Sequence, residues 1–374
     1  MSRTILFLQA CEVAQYPPIM NAMSILAARA WQVHALSMPI SGGKLKFEAP
    51  PGVCIHHTAA RASVFVSKKQ FLSYAFQAFK LARRINPSVL FVSDPLVTPI
   101  AALLARLLKL KVVYQEHDSP SSEGELNALV RMGRRRLLER AEFLLFPNLE
   151  RAQHWLNGKH RQRLRIIWNM PRLDELPQPQ SRAECPPIRL YYHGSINPAR
   201  LPMSIAELVR RLAPQVQLEF AGYTTNEHDY PERFTAVCPS AIRYLGEVPL
   251  RAQLLEHAAR AHIGLAFMPL SSGDLNMQAM TGASNKAFDY MSVGLLLWVS
   301  PLADWQQMFE APGYAMAVDP SDVDAMERAL RALLAQPQQL LEIAKRNRAQ
   351  ISEHWHYEEP FSQFADELEA LLRA

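Results

Sequence analysis

The sequence predicts an α/β chain built from two doubly wound parallel sheets, and three observations carry that reading. Short apolar runs of strand length alternate with helical stretches along most of the chain, the pattern of successive βα units. The alternation breaks at PRLDELPQPQSRAECPP (171–187), which holds five prolines and no apolar period, and then restarts. The 374 residues also exceed the roughly 250–300 at which a single core stops growing. Expected boundaries are therefore a first domain over 1–170, a linker over 171–187 and a second domain over 188–354.

Each element has its own reason. ILFLQA (5–10) and VHALSM (33–38) read as strands around a helix in NAMSILAARAW (21–31). SVLFVSD (88–94), KVVYQEHD (111–118), AEFLLFPN (141–148) and LRIIWNM (164–170) are further strands, their near-continuous apolar character marking burial on both faces. PIAALLARLLKL (99–110) places apolar residues at helical spacing between two of them. Beyond the linker, IRLYYHG (188–194), VQLEFAGY (216–223), IRYLGEV (242–248), HIGLAFM (262–268) and GLLLWVS (294–300) are strands. MSIAELVRRL (203–212) and LRAQLLEHAARA (250–261) are helices between them, and amphipathic helices close the chain after residue 322. Ligands of open parallel sheets bind outside the carboxyl ends of the strands, so two such sheets facing across a cleft make one deep site.

Composition excludes several functions. No apolar run approaches the ~20 residues that cross a bilayer, and the N-terminus reads as a buried strand rather than a signal peptide. The four cysteines (Cys11, Cys54, Cys185, Cys238) form no Cys-x-x-Cys pair, which suits a reducing cytoplasm. HH (56–57) and HWH (354–356) lack companions at ligand spacing in the sequence and read as structural, so no metal site is expected. Charge is unevenly spread. Residues 1–170 carry 23 Lys and Arg against 10 Asp and Glu, whereas residues 171–374 carry 17 against 25. The basic runs, such as RMGRRRLLER (131–140) and KHRQRLR (159–165), are mixed with Leu and aromatic residues as on a helix that meets anionic headgroups, while a solvated basic face would use the same charges. No nucleic-acid-binding motif accompanies them.

ASNKAFDYMSVG (283–294) is the most informative stretch. Ser284 or Asn285 can cap a two-turn helix that stops at Gly294, and Lys286, Asp289 and Tyr290 fall on one face. A cation beside free helical N–H groups suits a diphosphate, and a carboxylate one turn on can accept from a ribose diol. An ordinary i,i+3 surface pair has the same spacing, so spacing leaves both readings open.

This stretch resembles the "N-K-x-F-E-Y-M-x-x-G" segment of GT-B glycosyltransferases of the retaining family 4, or group 1. QYPP (15–18), VVYQEHD (112–118), PNLERAQHWL (147–156), IRLYYHGSINPAR (188–200), FAGY (220–223) and IRYLGEVPLRAQLLEHAARAHIGLAFMPL (242–270) resemble other family segments in the same order. The resemblance implies two Rossmann-like domains, with the C-terminal helix (355–374) crossing back to the first and Trp355 packing at that crossing. It implies that Asp289, in place of the usual Glu, meets the donor ribose, and that Lys286 with the backbone of Ser284, Asn285 and Ala287 lines the donor phosphates. Tyr290 shares that helix face. Thr281 stands where many members have a second acid, and Ser195 where the family has a phosphate-binding Arg, with Arg200 the nearest matching cation. Gly222 and Gly246 end strands where a base or ribose can approach the backbone. His117 takes the place of the family's site His, its flanking acids Glu116 and Asp118 expected to raise its pKa, and Tyr16 and Asn21 are the polar groups of a loop that lacks the family's Gly-Gly.

The expected activity is retaining transfer of a hexose or related sugar from a nucleoside-diphosphate donor to a glycan or lipid-linked acceptor in polysaccharide or glycolipid assembly. Lys286 and Arg200 would hold the diphosphate while its departing oxygen takes the acceptor proton, with no cofactor, metal or protein nucleophile. The expected location is the cytoplasm, peripheral to the inner face of the membrane. A sugar-nucleotide epimerase shares the architecture, and a scaffold that has lost its donor site accounts for Ser195, Thr281 and Asp289; nucleotide titration and product analysis separate the three.

Overall fold

The computed structural model describes residues 3–39, 41, 43–60, 67–120, 124, 126–178, 185–224 and 227–373. By its contacts the chain divides into two compact units. The first comprises Met1–Asn169, Gly273–Ala283 and Tyr357–Ala374, and the second Met170–Ser272 and Ser284–His356. Part of the expected linker, 179–184, lies outside the described residues.

The first unit holds strands β1 (Thr4–Leu8), β2 (Gln32–Ser37), β3 (Val53–His57), β4 (Val89–Val92), β5 (Lys111–Gln115), β6 (Phe143–Phe146) and β7 (Leu164–Ile166). They form one sheet in the order β3-β2-β1-β4-β5-β6-β7, parallel throughout. The order reverses between β1 and β4, the switch point at which open α/β sheets accept ligands. Every residue of β1 and β4 is buried, and Phe7 stacks on Phe91 across them at 4.4 Å, as strands covered on both faces require.

Local chemistry fixes the helices. Pro17 and Pro18 lie in the first turn of the helix Pro17–Ala28, where a missing N–H costs nothing, so this helix starts at Pro17 rather than at residue 21, where the apolar period placed it. Ser67 and Gln70 form a reciprocal capping box at the start of the helix Lys68–Ile85, which ends on left-handed Asn86. Asn127 and Asn148 cap the helices Ala128–Arg140 and Leu149–Leu156 by accepting from the third residue beyond.

The second unit holds β8 (Ile188–Ile196), β9 (Val216–Thr224), β10 (Ile242–Tyr244), β11 (Ile263–Ala266), β12 (Leu296–Val299) and β13 (Ala315–Ala317). Their order, β10-β9-β8-β11-β12-β13, again reverses around the first strand of the sheet, and all pairings are parallel. The helix Met203–Leu212 buries Ile205, Ala206, Leu208, Val209 and Leu212 on one side, which seats it on the sheet.

Three placements differ from the sequence reading. The segment Gly273–Ala283 belongs to the first unit, not to a continuous second domain: Asn276 exchanges side-chain hydrogen bonds with the backbone of Ser119, and Arg151 Nε donates to Ala279 O at 3.0 Å. Asn169 N donates to Gly282 O at 2.7 Å, and a Cβ at Gly282 would stand 2.2 Å from the Trp168 ring. Trp355 is grouped with the second unit, where it sits edge-on against Phe288, Phe309 and Tyr314. Edge strands β3 and β13, which the apolar pattern does not mark, complete the two sheets. The last helix, Glu358–Arg373, belongs to the first unit, where Phe364 meets Phe143 edge-on and Glu369 receives Arg29.

Candidate functional site

The second unit gathers most of the expected donor residues at the carboxyl ends of β8 and β9. Gly194 and Gly222 are register partners there, with φ of +115° and +141°. A Cβ on Gly222 would stand 1.8 Å from Gly194 O, and one on Gly194 would stand 2.8 Å from Lys286 Cε. Only glycine fits either position, and the pair leaves bare backbone at the strand ends. Gly246, with φ +76°, accepts from Gly222 N at 2.9 Å and has open space around its α-carbon.

Lys286 rises over this backbone from the helix Asn285–Ser292, its Nζ 5.3 Å from the centre of the Tyr192 ring. Its ammonium makes no hydrogen bond or ion pair among the described residues. Burial, then the nearby Arg200 guanidinium, push its pKa down to about 7 against the opposing pull of Asp289. Arg200 is set by the Asn197 turn, its N–H donating to Asn197 Oδ1 at 3.1 Å, and its guanidinium touches Met268 Sδ. Ser195 follows Gly194 directly; its carbonyl accepts from Tyr192 Oη and its Oγ from Asn197 Nδ2. Ser284 occupies the helix N-cap without a side-chain capping bond, and Asn285 Oδ1 is buried with no partner among the described residues. Two cations, an uncapped helix start and bare strand-end backbone thus share one locality. An oxyanion fits that chemistry.

Other members of the helix do something different from the expectation. Asp289 is 1% exposed, and both its oxygens are engaged: Arg251 donates to Oδ2 at 3.0 Å and to Oδ1 at 2.5 Å, and His193 Nε2 donates to Oδ2 at 3.3 Å. Burial would raise its pKa, but Arg251 and then His193 outweigh it and hold the carboxyl below its usual range. Asp289 is therefore the anchor of a buried ion pair with Arg251. Tyr290 also turns inward. Its Oη accepts from His193 N at 2.9 Å, and its ring fills the space that a Cβ at Gly264 would need. Ala287 is fully buried beside it. Thr281 is grouped with the first unit and the helix Asn285–Ser292 with the second.

His193 and Arg251 are site residues the sequence reading missed. Burial lowers the pKa of His193 more than Asp289 raises it, so its ring is neutral. With Nε2–H donated to Asp289, Nδ1 is left as a bare acceptor, buried and without a partner among the described residues. The available signal was position: His193 immediately precedes a strand-end glycine, and Arg251 opens the helix Arg251–Ala259, where the helix dipole disfavours a cation unless an acid holds it. Glu175 gives Arg251 a second carboxylate at 3.5 Å.

In the first unit, β5 ends in Gln115 and the chain then alternates sides. Glu116 turns into the core, contrary to its expected acceptor-side role: Arg134 binds both its oxygens at 2.8 and 2.7 Å, and Tyr114 Oη and Ser119 Oγ donate to it at 2.8 and 2.6 Å. His117 turns the other way, its ring 5.4 Å from that of Tyr16. Its pKa is pushed down to about 3, first by burial and then by Arg151, the opposite of the rise expected from two flanking acids. Glu116 cannot raise it because Arg134 already neutralises that charge. His117 is thus neutral, and its Nε2 is buried without a partner among the described residues. Arg151 NH1 locks the backbone by donating to His117 O at 2.7 Å. Tyr16 is half-buried, its hydroxyl held protonated by burial and by Cys11, Asp118 and Asp94. Asp118 is exposed, and Asn21 is fully buried inside the helix Pro17–Ala28. Asp94, unassigned from sequence, accepts from Ala10 N at 3.1 Å and Leu96 N at 2.8 Å, and so stitches the ends of β1 and β4.

Residues 19–169 match the family described as glycosyl transferase 4-like domain, and residues 202–366 the family described as glycosyl transferase-like. A search of curated protein sequences gives no match. Among solved structures the chain is similar to a sucrose-phosphate synthase from Thermosynechococcus elongatus, with 14% identity, a TM-score of 0.69 and 99% of each chain covered. It is also similar to HepE of Anabaena in complex with UDP and glucose, with 13% identity, a TM-score of 0.70 and coverage of 98% and 99%. WaaG, a glycosyltransferase of lipopolysaccharide biosynthesis, gives 13% identity, a TM-score of 0.65 and coverage of 97% and 99%. These likenesses establish the GT-B fold.

Proposed function

We propose that this chain, a glycosyltransferase of GT-B architecture by both family matches, moves a hexose or related sugar from a nucleoside-diphosphate donor to a glycan or lipid-linked acceptor with retention of configuration. One observation carries the donor assignment: Lys286 stands with Arg200 over the bare backbone of Gly194 and Gly222, with no carboxylate bonded to its ammonium among the described residues. A diphosphate supplies the missing counter-charge. Lys286, Arg200 and the N–H groups at Ser284 and Asn285 would hold it and stabilise the charge that develops as the sugar departs. The leaving oxygen can take the acceptor's proton on the same face of the sugar, so neither a protein nucleophile nor a resident metal is assigned. The UDP and glucose held by HepE support a nucleotide-sugar donor.

Asp289 enters this scheme as a positioning residue that fixes the Lys286 helix through Arg251. The bare Nδ1 of His193 is the group beside it able to accept a hydrogen bond from a ligand. In the first unit, the unpartnered Nε2 of neutral His117 is assigned to a sugar or acceptor hydroxyl, beside Tyr16. Calorimetric titration with UDP and GDP tests the core of the reading: binding of either, lost in Lys286→Met, is expected. Failure of both nucleotides to bind the wild-type chain would leave a fold without a donor site.

The acceptor side is proposed to meet an anionic membrane surface at the cytoplasmic leaflet. Leu72 and Phe76, 68% and 69% exposed, are one turn apart on the helix Lys68–Ile85, and Leu103 and Leu107 repeat the spacing on the helix Thr98–Leu108. Lys68, Lys69, Lys80 and Arg106 accompany them, the mixture that seats an interfacial helix. No helix among the described residues is long and apolar enough to cross a membrane. Flotation with anionic liposomes, weakened by salt and by Phe76→Ser, is the expected behaviour; recovery of all protein in the unbound fraction at low salt refutes this part.

A further inference from the structure

We propose that His34, Cys54 and His56 form a three-ligand zinc(II) site at the β3 edge of the first sheet, independent of the donor chemistry. The sequence reading took His56 and His57 as structural because no companion set at ligand spacing accompanies them in the chain; strand pairing adds His34 to Cys54 and His56. β2 and β3 run parallel with His34 directly opposite Cys54, and His56 follows Cys54 by two residues. Cross-strand partners and i,i+2 neighbours project from the same face of a sheet, so all three side chains share one side. His34 Nδ1 and His56 Nε2 are 3.1 Å apart, and all three ligating atoms lie within 4.8 Å of one another. This is the only such trio of His, Cys, Asp or Glu among the described residues.

The spacing suits one small cation. Zinc–nitrogen bonds of about 2.0–2.1 Å and zinc–sulfur bonds of about 2.3 Å in a tetrahedron put neighbouring donors roughly 3.3–3.6 Å apart. The two nitrogens are already close to that edge, and the exposed Cys54 side chain can rotate its sulfur inward. A direct imidazole–imidazole hydrogen bond explains the 3.1 Å separation, but it gives the thiol no part. One thiolate and two imidazoles form a borderline-soft donor set, which favours zinc over magnesium or calcium. No fourth ligating side chain joins the group among the described residues, so the fourth position is left to water.

Of the charged and titratable groups nearby, Arg84, near the end of the helix Lys68–Ile85, acts on both imidazoles and His57 on that of His56. Burial, followed by Arg84 for His34 and by His34, Arg84 and His57 for His56, lowers both pKa values and favours the neutral rings that bind metal. Arg84 repels a bare dication; the thiolate formed on binding offsets that repulsion. Binding replaces the Cys54 S–H bond with a zinc–sulfur bond and releases one proton to solvent. Its consequence is mechanical. β3 has only β2 as a sheet neighbour, and the metal would pin this half-exposed edge strand to it.

The test titrates tag-free, full-length protein with Co²⁺ and then displaces it with Zn²⁺. The expected result is one equivalent bound, with tetrahedral cobalt absorption and a thiolate-to-cobalt charge-transfer band. Cys54→Ser, at an exposed position, should abolish that band and weaken Zn²⁺ binding by at least the roughly 10-fold that loss of a metal-site partner costs. His56→Asn should weaken binding while leaving the circular dichroism spectrum and nucleotide binding intact. Zn²⁺ should also slow alkylation of Cys54, read residue by residue by mass spectrometry. Absence of stoichiometric binding, or binding and alkylation unchanged by Cys54→Ser or by Zn²⁺, overturns the proposal.

Discussion

At the scale of single residues, burying an ammonium without a bonded carboxylate is costly, and Lys286 carries that cost in its depressed pKa of about 7. The sign of its effect on stability follows. Between about pH 7 and the unfolded value near 10.4 the unfolded chain holds a proton that the native chain has lost, so this residue's contribution to stability rises with pH across that window. Lys286→Met should therefore leave the unfolding midpoint at pH 7 unchanged or higher, while weakening nucleoside diphosphate binding by about 100-fold, a loss of about 2.7 kcal/mol. Wild-type binding at pH 8 should take up a proton. Calorimetry in buffers of different ionisation enthalpy reads that uptake directly, and its absence would detach Lys286 from the anion. Asp289→Asn has a different expected signature, since it leaves buried Arg251 with only the more distant Glu175: destabilisation of up to about 3–5 kcal/mol in urea unfolding. A residue whose only role was to hold a ribose would cost affinity and leave stability untouched.

At the scale of elements, the pairing of β8 with β9 is as demanding as any side-chain contact. Gly222→Ala must push a methyl group into Gly194 O, so loss of more than about 4 kcal/mol, or failure to fold, is expected. Gly246→Ala is the matched control: φ is positive there too, but the surrounding space is open, and a cost of about 1–2 kcal/mol is expected in the same denaturation series. The central strands were legible because burial on both faces demands continuous apolar runs. Edge strands β3 and β13 escaped because one open side relaxes that demand, leaving β3 as VCIHH with no fully buried residue. The helix Asn285–Ser292 was legible from its cap and its stop at Gly294; which of its side chains faces a ligand was not, because Arg251 and His193 decide it.

At the scale of the whole molecule, the chain leaves its second unit twice, at Gly273–Ala283 and at Tyr357–Ala374, to complete the first. The helix Glu358–Arg373 buries Phe361, Phe364 and Leu368, worth roughly 5–9 kcal/mol for three such side chains. Deleting residues 357–374 should thus lower the thermal transition of the first unit and leave that of the second in place. Scanning calorimetry that shows one merged, unshifted transition would contradict this division.

The sequence by itself determined the alternation of buried strands with amphipathic helices, and with it the two parallel sheets and the short helix that carries Lys286. Those features depend on residues that are neighbours in the chain, where period and capping operate. Only the tertiary structure decided that Asp289 turns to Arg251, that Glu116 is spent on Arg134, that residues 273–283 fold with the first unit, and that His34, Cys54 and His56 converge. Each of these joins residues remote in sequence, and strand register and helix packing set such distances, not any pattern that a short stretch of residues can display.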